Sequence, residues 1–262
     1  AMQLGPNQCS CRADGGNAHC LSAEQWRDLI LQAIQNDRVK LAYFDVVDNK
    51  SQACLHREAM VRIVAEHTGQ LISAADFMPM AAKLGITTVL DLHVTALALQ
   101  ALAQSNTPIT VNLSTQSLEQ ASFAAQLVRL LKGHPQLCRR LAFEVPEWAL
   151  LKSFDVFSNL AVELQQLGCG LGVEQFGLRM TELNKLAGLG IDHIKVHPSF
   201  IADLSVNPDH AQYLRTLCSA ARHMDITVIA LGVTDPAWMP QLLAVGVQGS
   251  TGPGVKANAS AT

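Results

Sequence analysis

Ile109-Thr110-Val111-Asn112-Leu113-Ser114 is a short apolar run that ends on polar residues, and it decides the fold because the chain repeats the pattern. Runs of the same kind return at Leu141–Glu144, Gly170–Glu174, His193–Val196, Thr227–Ala230 and Val247–Ser250. Helical periodicity fills the gaps, over about Ser117–Leu131, Phe154–Leu167, Thr181–Leu189, Ala211–His223 and Pro236–Val245. Strand–helix alternation at roughly 25–30 residues per unit predicts a parallel sheet with helices outside it. Two more strands come earlier, Val39–Val47 and Cys54–Val64, joined by the turn Asp48-Asn49-Lys50. Ser22 with Gln25 forms a capping box for a helix carrying Trp26, Leu29, Ile30, Ala33 and Ile34. A second helix opens near Ser73, with Asp76 as its box partner, and Ile86–Leu102 is a third. Eight or so strands in about 240 residues suit a closed α/β barrel of the (β/α)8, or TIM, kind better than an open sheet.

Composition narrows the class. A length of 262 residues, 49% of them hydrophobic and 16% charged, describes a globular chain with a large core. No apolar run reaches the ~18 residues of a membrane span. A net charge of −3 argues against a nucleic-acid surface. Seven cysteines, an odd number, fit reduced thiols in the cytoplasm. Residues 1–21 read as a linker, with Ala1-Met2 a cloning scar, residues 22–255 as the domain and 256–262 as a tail. Cys9, Cys11, His19 and Cys20 could hold zinc, but their spacing matches no strong pattern and Gly15-Gly16-Asn17 loosens the segment.

Asn112, Glu144, Glu174 and Lys195 fall at or near the C-terminal ends of successive strands. Barrel enzymes build their sites at that face. Either each residue merely caps the next helix, or the four form one site.

The motifs carry a resemblance. They are Glu58-Ala59-Met60-Val61-Arg62, Val111-Asn112-Leu113-Ser114, Glu144-Val145-Pro146-Glu147, Glu174-Gln175-Phe176-Gly177, Lys195-Val196-His197-Pro198-Ser199-Phe200, Ala230-Leu231-Gly232-Val233-Thr234 and Thr251-Gly252. In this order, from about Arg38 to Val255, they resemble the EAL-domain phosphodiesterases of cyclic di-GMP. The resemblance implies a modified TIM barrel of EAL type. It also implies hydrolysis in active members with two Mg²⁺ or Mn²⁺ ions held by five carboxylates. Three of those remain here, Glu58, Glu144 and Glu174, and with Asn112 they make a vestigial metal set. Gln175 and Leu231 stand at the other two carboxylate positions, and Leu231 can neither ligate a metal nor accept a proton. Glu174 is one methylene longer than the expected Asp, and ~1 Å of misplacement can cost about a hundredfold in rate. The loop Leu178–Leu183 departs from the family pattern as well, with Arg179 in place of a glycine.

The expectation is a degenerate, non-catalytic EAL domain that needs no metal and binds cyclic di-GMP as a receptor of the LapD type. The implied binding set is Glu58, Met60, Arg62, Asn112, Glu144, Glu174, Gln175, Phe176, Lys195, Thr251 and Pro253. Arg62 either meets a phosphate or pairs with Glu58 on the same strand face. Met60, Phe176 and Pro253 either flank a guanine face or belong to the core. The expected setting is the cytoplasmic part of an inner-membrane signalling protein, as a homodimer or beside another signalling domain upstream. The alternative is a protein-interaction domain that no longer binds nucleotide.

Overall fold

The computed structural model describes residues 21–66, 68–177, 183–202, 204 and 206–257. The N-terminal Cys/His group and the Arg179 loop lie outside the described residues. Nine strands run β1 (Val39–Asp48), β2 (Cys54–Val64), β3 (Leu71–Ser73), β4 (Ile109–Asn112), β5 (Leu141–Pro146), β6 (Gly170–Phe176), β7 (His193–Val196), β8 (Thr227–Leu231) and β9 (Gly249–Thr251). Their order is β1-β9-β8-β7-β6-β5-β4-β2-β3, and β1 also pairs with β2. Eight strands therefore close into a barrel, with β3 as an extra strand on β2. Closure depends on β1, which runs antiparallel to both β2 and β9, while the pairings from β2–β4 round to β8–β9 are parallel. The Asp48 carboxylate ties the β1–β2 turn by accepting from Ser51 N at 2.7 Å and Lys50 N at 3.1 Å.

The strand period of two sorts the residues. Leu141, Phe143 and Val145, or Ile194 and Val196, face the helices and are buried in one large core. Their alternates, Glu144, Gly172, His193 and Lys195, point inward and meet across the barrel. A smaller core sits where the first helix packs. There Ile30 and Ala33 join Val39, Ile63, Phe77 and Leu90. Both expected capping boxes form: Gln25 N donates to Ser22 Oγ at 3.2 Å, and Ser73 N to Asp76 Oδ2 at 3.2 Å.

Two expected helices are interrupted. The Ser117–Leu131 stretch is two helices, Thr115–Leu118 and Ala121–Lys132, with extended backbone at Gln120 between them. Ser114 caps the first by accepting from Ser117 N, which pins a short turn in place of a continuous helix. Pro236–Val245 begins as a 3₁₀ turn over Pro236–Trp238 and becomes α-helical only from Met239, because Pro240 has no N–H to extend the earlier turn. Among the described residues no helix is long and apolar enough to cross a membrane.

Candidate ligand site at the barrel mouth

β7 is buried at all four positions, so its inward residues His193 and Lys195 sit inside the barrel. Lys195 is fully buried, and a bare ammonium there would be untenable without partners. It has three: Glu144 Oε2 at 2.5 Å, Glu58 Oε2 at 2.8 Å and Glu174 Oε1 at 3.6 Å. Asn112 Nδ2 adds a hydrogen bond to Glu58 Oε1 at 3.0 Å. The four strand-end residues thus form one group and do not cap helices one by one.

The charges of this group are set by burial and by one another. Burial lifts the Glu174 carboxyl well above the usual range, the Glu144 charge adds to this, and Lys195 only partly opposes it. Burial also raises Glu144, against the pull of Lys195. Burial works against ionising Glu58 too, but attraction to Lys195 and the Asn112 amide outweighs it, and that carboxyl lies below its usual range. For Lys195 burial favours the neutral amine, yet the three carboxylates prevail and hold it above the ordinary lysine range. The balance favours the charged forms of Lys195 and Glu58 and disfavours the charged form of Glu174 most.

The supporting frame is specific. Asp91 is the one acid in the apolar helix Thr87–Gln104, and its Oδ2 accepts from Ser114 N at 2.9 Å and Ser114 Oγ at 2.7 Å, fixing the chain just after Asn112. Glu147 Oε1 accepts from Gly177 N at 3.4 Å, and Tyr213 OH donates to Gly177 O at 2.9 Å, which anchors the end of β6. The β6–β7 register shifts between Val173 and Phe176, and Gln175 takes a left-handed φ of 53° there. This bulge leaves Gln175 exposed and turns Phe176 into the core at 1% exposure.

Of the two alternatives for Phe176, a guanine face or the core, its burial fits the core. Thr251 is also buried, and its hydroxyl donates to Asp45 O at 3.0 Å, so it serves the β1–β9 seam. Pro253 is exposed just beyond it. Met60 and Arg62 lie on the same face of β2 as Glu58, farther toward the mouth, and both are half-buried. Arg62 Nη1 donates to Val61 O at 2.9 Å, and among the described residues it forms no ion pair with Glu58. Leu231 ends β8 beside Thr251, half-buried at the mouth.

Sequence reasoning missed Asp91, His56 and His193. A lone acid in an apolar helix was a signal for Asp91. For the histidines there was only the strand period: His56 is two residues before Glu58, and His193 two before Lys195. Burial pushes both imidazoles down to about 3, with the Lys195 charge adding to the shift, so they are neutral at physiological pH.

Whether the mouth fits a pair of hard cations can be read from its donors. Oxygens of Glu58, Glu144 and Glu174 lie within 4.8 Å of one another, and among the described residues Asn112 Oδ1 is buried without a hydrogen-bond partner. This set fits one ion, at the place the Lys195 ammonium now neutralises. It does not fit two, since Gln175 is neutral and Leu231 is apolar.

The EAL domain family model matches residues 27–255. The chain belongs to the EAL domain family. It is 27% identical over 198 residues to the cyclic di-GMP phosphodiesterase PdeF of Escherichia coli, covering 74% of this chain and 26% of that protein. It is likewise 27% identical over 198 residues to the cyclic di-GMP phosphodiesterase PA2567 of Pseudomonas aeruginosa, covering 74% and 34% respectively. The chain thus spans about a quarter to a third of these relatives' lengths. Among solved structures it is similar in fold to the Vibrio cholerae LapD S helix-GGDEF-EAL protein bound to c-di-GMP, with a TM-score of 0.82, 22% identity and coverage of 88% and 57%. It is similar too to the Pseudomonas aeruginosa FimX EAL domain bound to c-di-GMP, with a TM-score of 0.79, 23% identity and coverage of 87% and 93%.

Proposed function

We propose that this EAL domain binds cyclic di-GMP without hydrolysing it and serves as a receptor module within a larger signalling protein. The observation that carries the reading is the state of the mouth. Its three remaining carboxylates are all spent on Lys195, while Leu231 and Gln175 stand where two more would be needed. A two-metal mechanism clamps both the attacking and the leaving oxygen, and this donor set supports one ion at most. A single ion held by Glu58, Asn112, Glu144 and Glu174 would supply only charge neutralisation.

Binding has separate support. Internal neutralisation by Lys195 lowers the repulsion that three carboxylates would otherwise exert on a dianionic ligand. Arg62 stands at the same mouth with its guanidinium free of Glu58, and a planar guanidinium suits bidentate phosphate contact. Met60 lies on the same strand face as an apolar surface, and Gln175 is exposed near the end of β6. Glu144 and Lys195 are covered, so they act on the ligand through the field of the site.

Isothermal titration of the chain with cyclic di-GMP, with Mg²⁺ and with a chelator, tests the proposal beside chromatographic assay for linear pGpG. The expected result is micromolar or tighter binding in both buffers and no product. Product forming in proportion to protein overturns the non-catalytic reading. Absence of binding in both buffers overturns the receptor reading in favour of a protein-interaction domain.

A further inference from the structure

A second polar group lies below the mouth. His56 on β2, Glu144 on β5 and His193 on β7 bring one ligand atom each to one place, all within 4.8 Å of one another. Glu144 is shared between the two levels: Oε2 faces Lys195 at 2.5 Å, and Oε1 faces His193 Nε2 at 2.5 Å. The His56 and His193 rings are 5.1 Å apart and inclined by 35°.

Three observations bear on what this group does. His56 Nε2 is buried and, among the described residues, has no hydrogen-bond partner, a condition that costs about 1–3 kcal/mol for an ordinary polar atom. Room for His193 is made by a glycine. A Cβ on Gly172 would lie 2.3 Å from His193 Nε2 and 2.8 Å from Glu144 Cγ, so any other residue there would drive the pair apart. Gly172 is also the ladder partner of both Glu144 and His193, which makes it the one backbone position between them. Finally, His56 and His193 line a cavity of about 280 Å³ at the N-terminal ends of the strands, with Pro108, Ile109, Gly170 and Asp192. The group can therefore be reached from the face opposite the mouth.

Two imidazoles and a carboxylate suit Zn²⁺ and its first-row neighbours, and such a set leaves a position open. We propose that His56, His193 and Glu144 bind one divalent transition-metal ion, with its open position toward the cavity. Ligand atoms around one zinc stand roughly 3.3 Å apart. The His193–Glu144 contact must lengthen and the wider separations shorten, each by less than about 1.5 Å, which rotation of the His56 ring and the Glu144 carboxylate can supply. Lys195 keeps Glu144 Oε2 throughout. The site differs from the oxygen-only group at the mouth in donor chemistry and in access.

The test uses the full chain with Cys9, Cys11 and Cys20 changed to Ser, so that thiols near the N-terminus do not compete. Co²⁺ is titrated with visible absorption as the readout, and Zn²⁺ by competition with a chelating dye. One ion per chain is expected, with d–d bands of a low-coordinate nitrogen and oxygen site and no thiolate charge-transfer band. His56→Ala and His193→Ala should each weaken Zn²⁺ by about a hundredfold or more, beyond the ~10–100-fold typical of outer-shell changes. Gly172→Ala keeps every ligand, fills their space and should weaken Zn²⁺ as well. Circular dichroism of each apo variant checks folding. If His193→Ala does not fold, His56→Gln, near-isosteric at the cavity wall, carries the comparison. No bound ion, a thiolate band, or unchanged affinity in the folded His56 variant overturns the proposal.

Discussion

Lys195→Met removes the buried ammonium from the centre of the mouth while keeping most of the side-chain volume. In the parent the ammonium lies 2.5, 2.8 and 3.6 Å from carboxylate oxygens of Glu144, Glu58 and Glu174, and none of these side chains is more than 14% exposed. Removing one partner from a buried ion group costs about 3–5 kcal/mol, because the charge left behind is uncompensated. For a chain of this size 1 kcal/mol is worth roughly 2–4 °C in Tm, so the variant should melt roughly 10 °C lower near neutral pH. The sign with pH follows from the groups themselves. The raised Lys195 pKa stabilises the parent fully below the unfolded value of about 10.4, and that stabilisation fades as pH rises through the folded value. In the variant the three carboxyls lose their counter-charge, Glu58 its downward pull and Glu144 and Glu174 what opposed their upward shift, so their penalty is present at neutral pH and vanishes as they take up protons on acidification. The parent–variant gap should therefore be wide near neutrality and narrow towards pH 4, around the unfolded glutamate value, with the share of the Lys195–Glu58 pair lost only as pH falls through the lowered folded value of Glu58. Urea denaturation across this range measures it. Mn²⁺ should also restore part of the lost stability, since the freed carboxylates can hold one ion. A Lys195→Met protein as stable as its parent at neutral pH, within about 0.5 kcal/mol, would refute the idea that the ammonium holds the site together.

Arg62→Ala should lose a charge-assisted phosphate contact, weakening cyclic di-GMP by roughly 10–100-fold in titration calorimetry with Tm unchanged. Glu174→Gln should stabilise the chain above the unfolded glutamate value of about 4.3: a raised carboxyl penalises the fold increasingly as pH climbs from that value to the folded one, and the gain is gone once pH falls back to the unfolded value. Thermal melts of the pair across pH would expose the opposite sign if Glu174 is a normal acid. Leu231→Glu alone should not create Mn²⁺ binding, because it adds a half-buried carboxylate without its partners. The triple change Glu174→Asp, Gln175→Asp and Leu231→Glu should raise Mn²⁺ affinity first and hydrolysis weakly if at all. A triple variant that gains no Mn²⁺ over the parent would break the correspondence between these strand ends and a two-metal site.

Much of this protein could be read from its sequence, and the reason is periodicity. Each short strand alternates, so Ile109, Val111 and Leu113, or Ile194 and Val196, declare the outer face of a barrel without any structure. Polar residues at the ends of those runs, Asn112, Glu144, Glu174 and Lys195, then fall on the functional face by topology alone. The motifs naming the family are local in the same sense. What sequence could not decide was anything set by contact across the barrel. Which of Gln175 and Phe176 is exposed and which enters the core follows from a bulge between β6 and β7, and bulges depend on how two strands fit. Thr251 was expected at the ligand, but its hydroxyl is taken by Asp45, 206 residues earlier in the chain. The His56–His193–Glu144 group depends on three strands separated by 137 residues, from 56 to 193, and on the space that Gly172 leaves between two of them. Local spacing selects which face a side chain takes. Only closure of the barrel brings opposite faces within the few ångströms over which hydrogen bonds, ion pairs and metal ligation act.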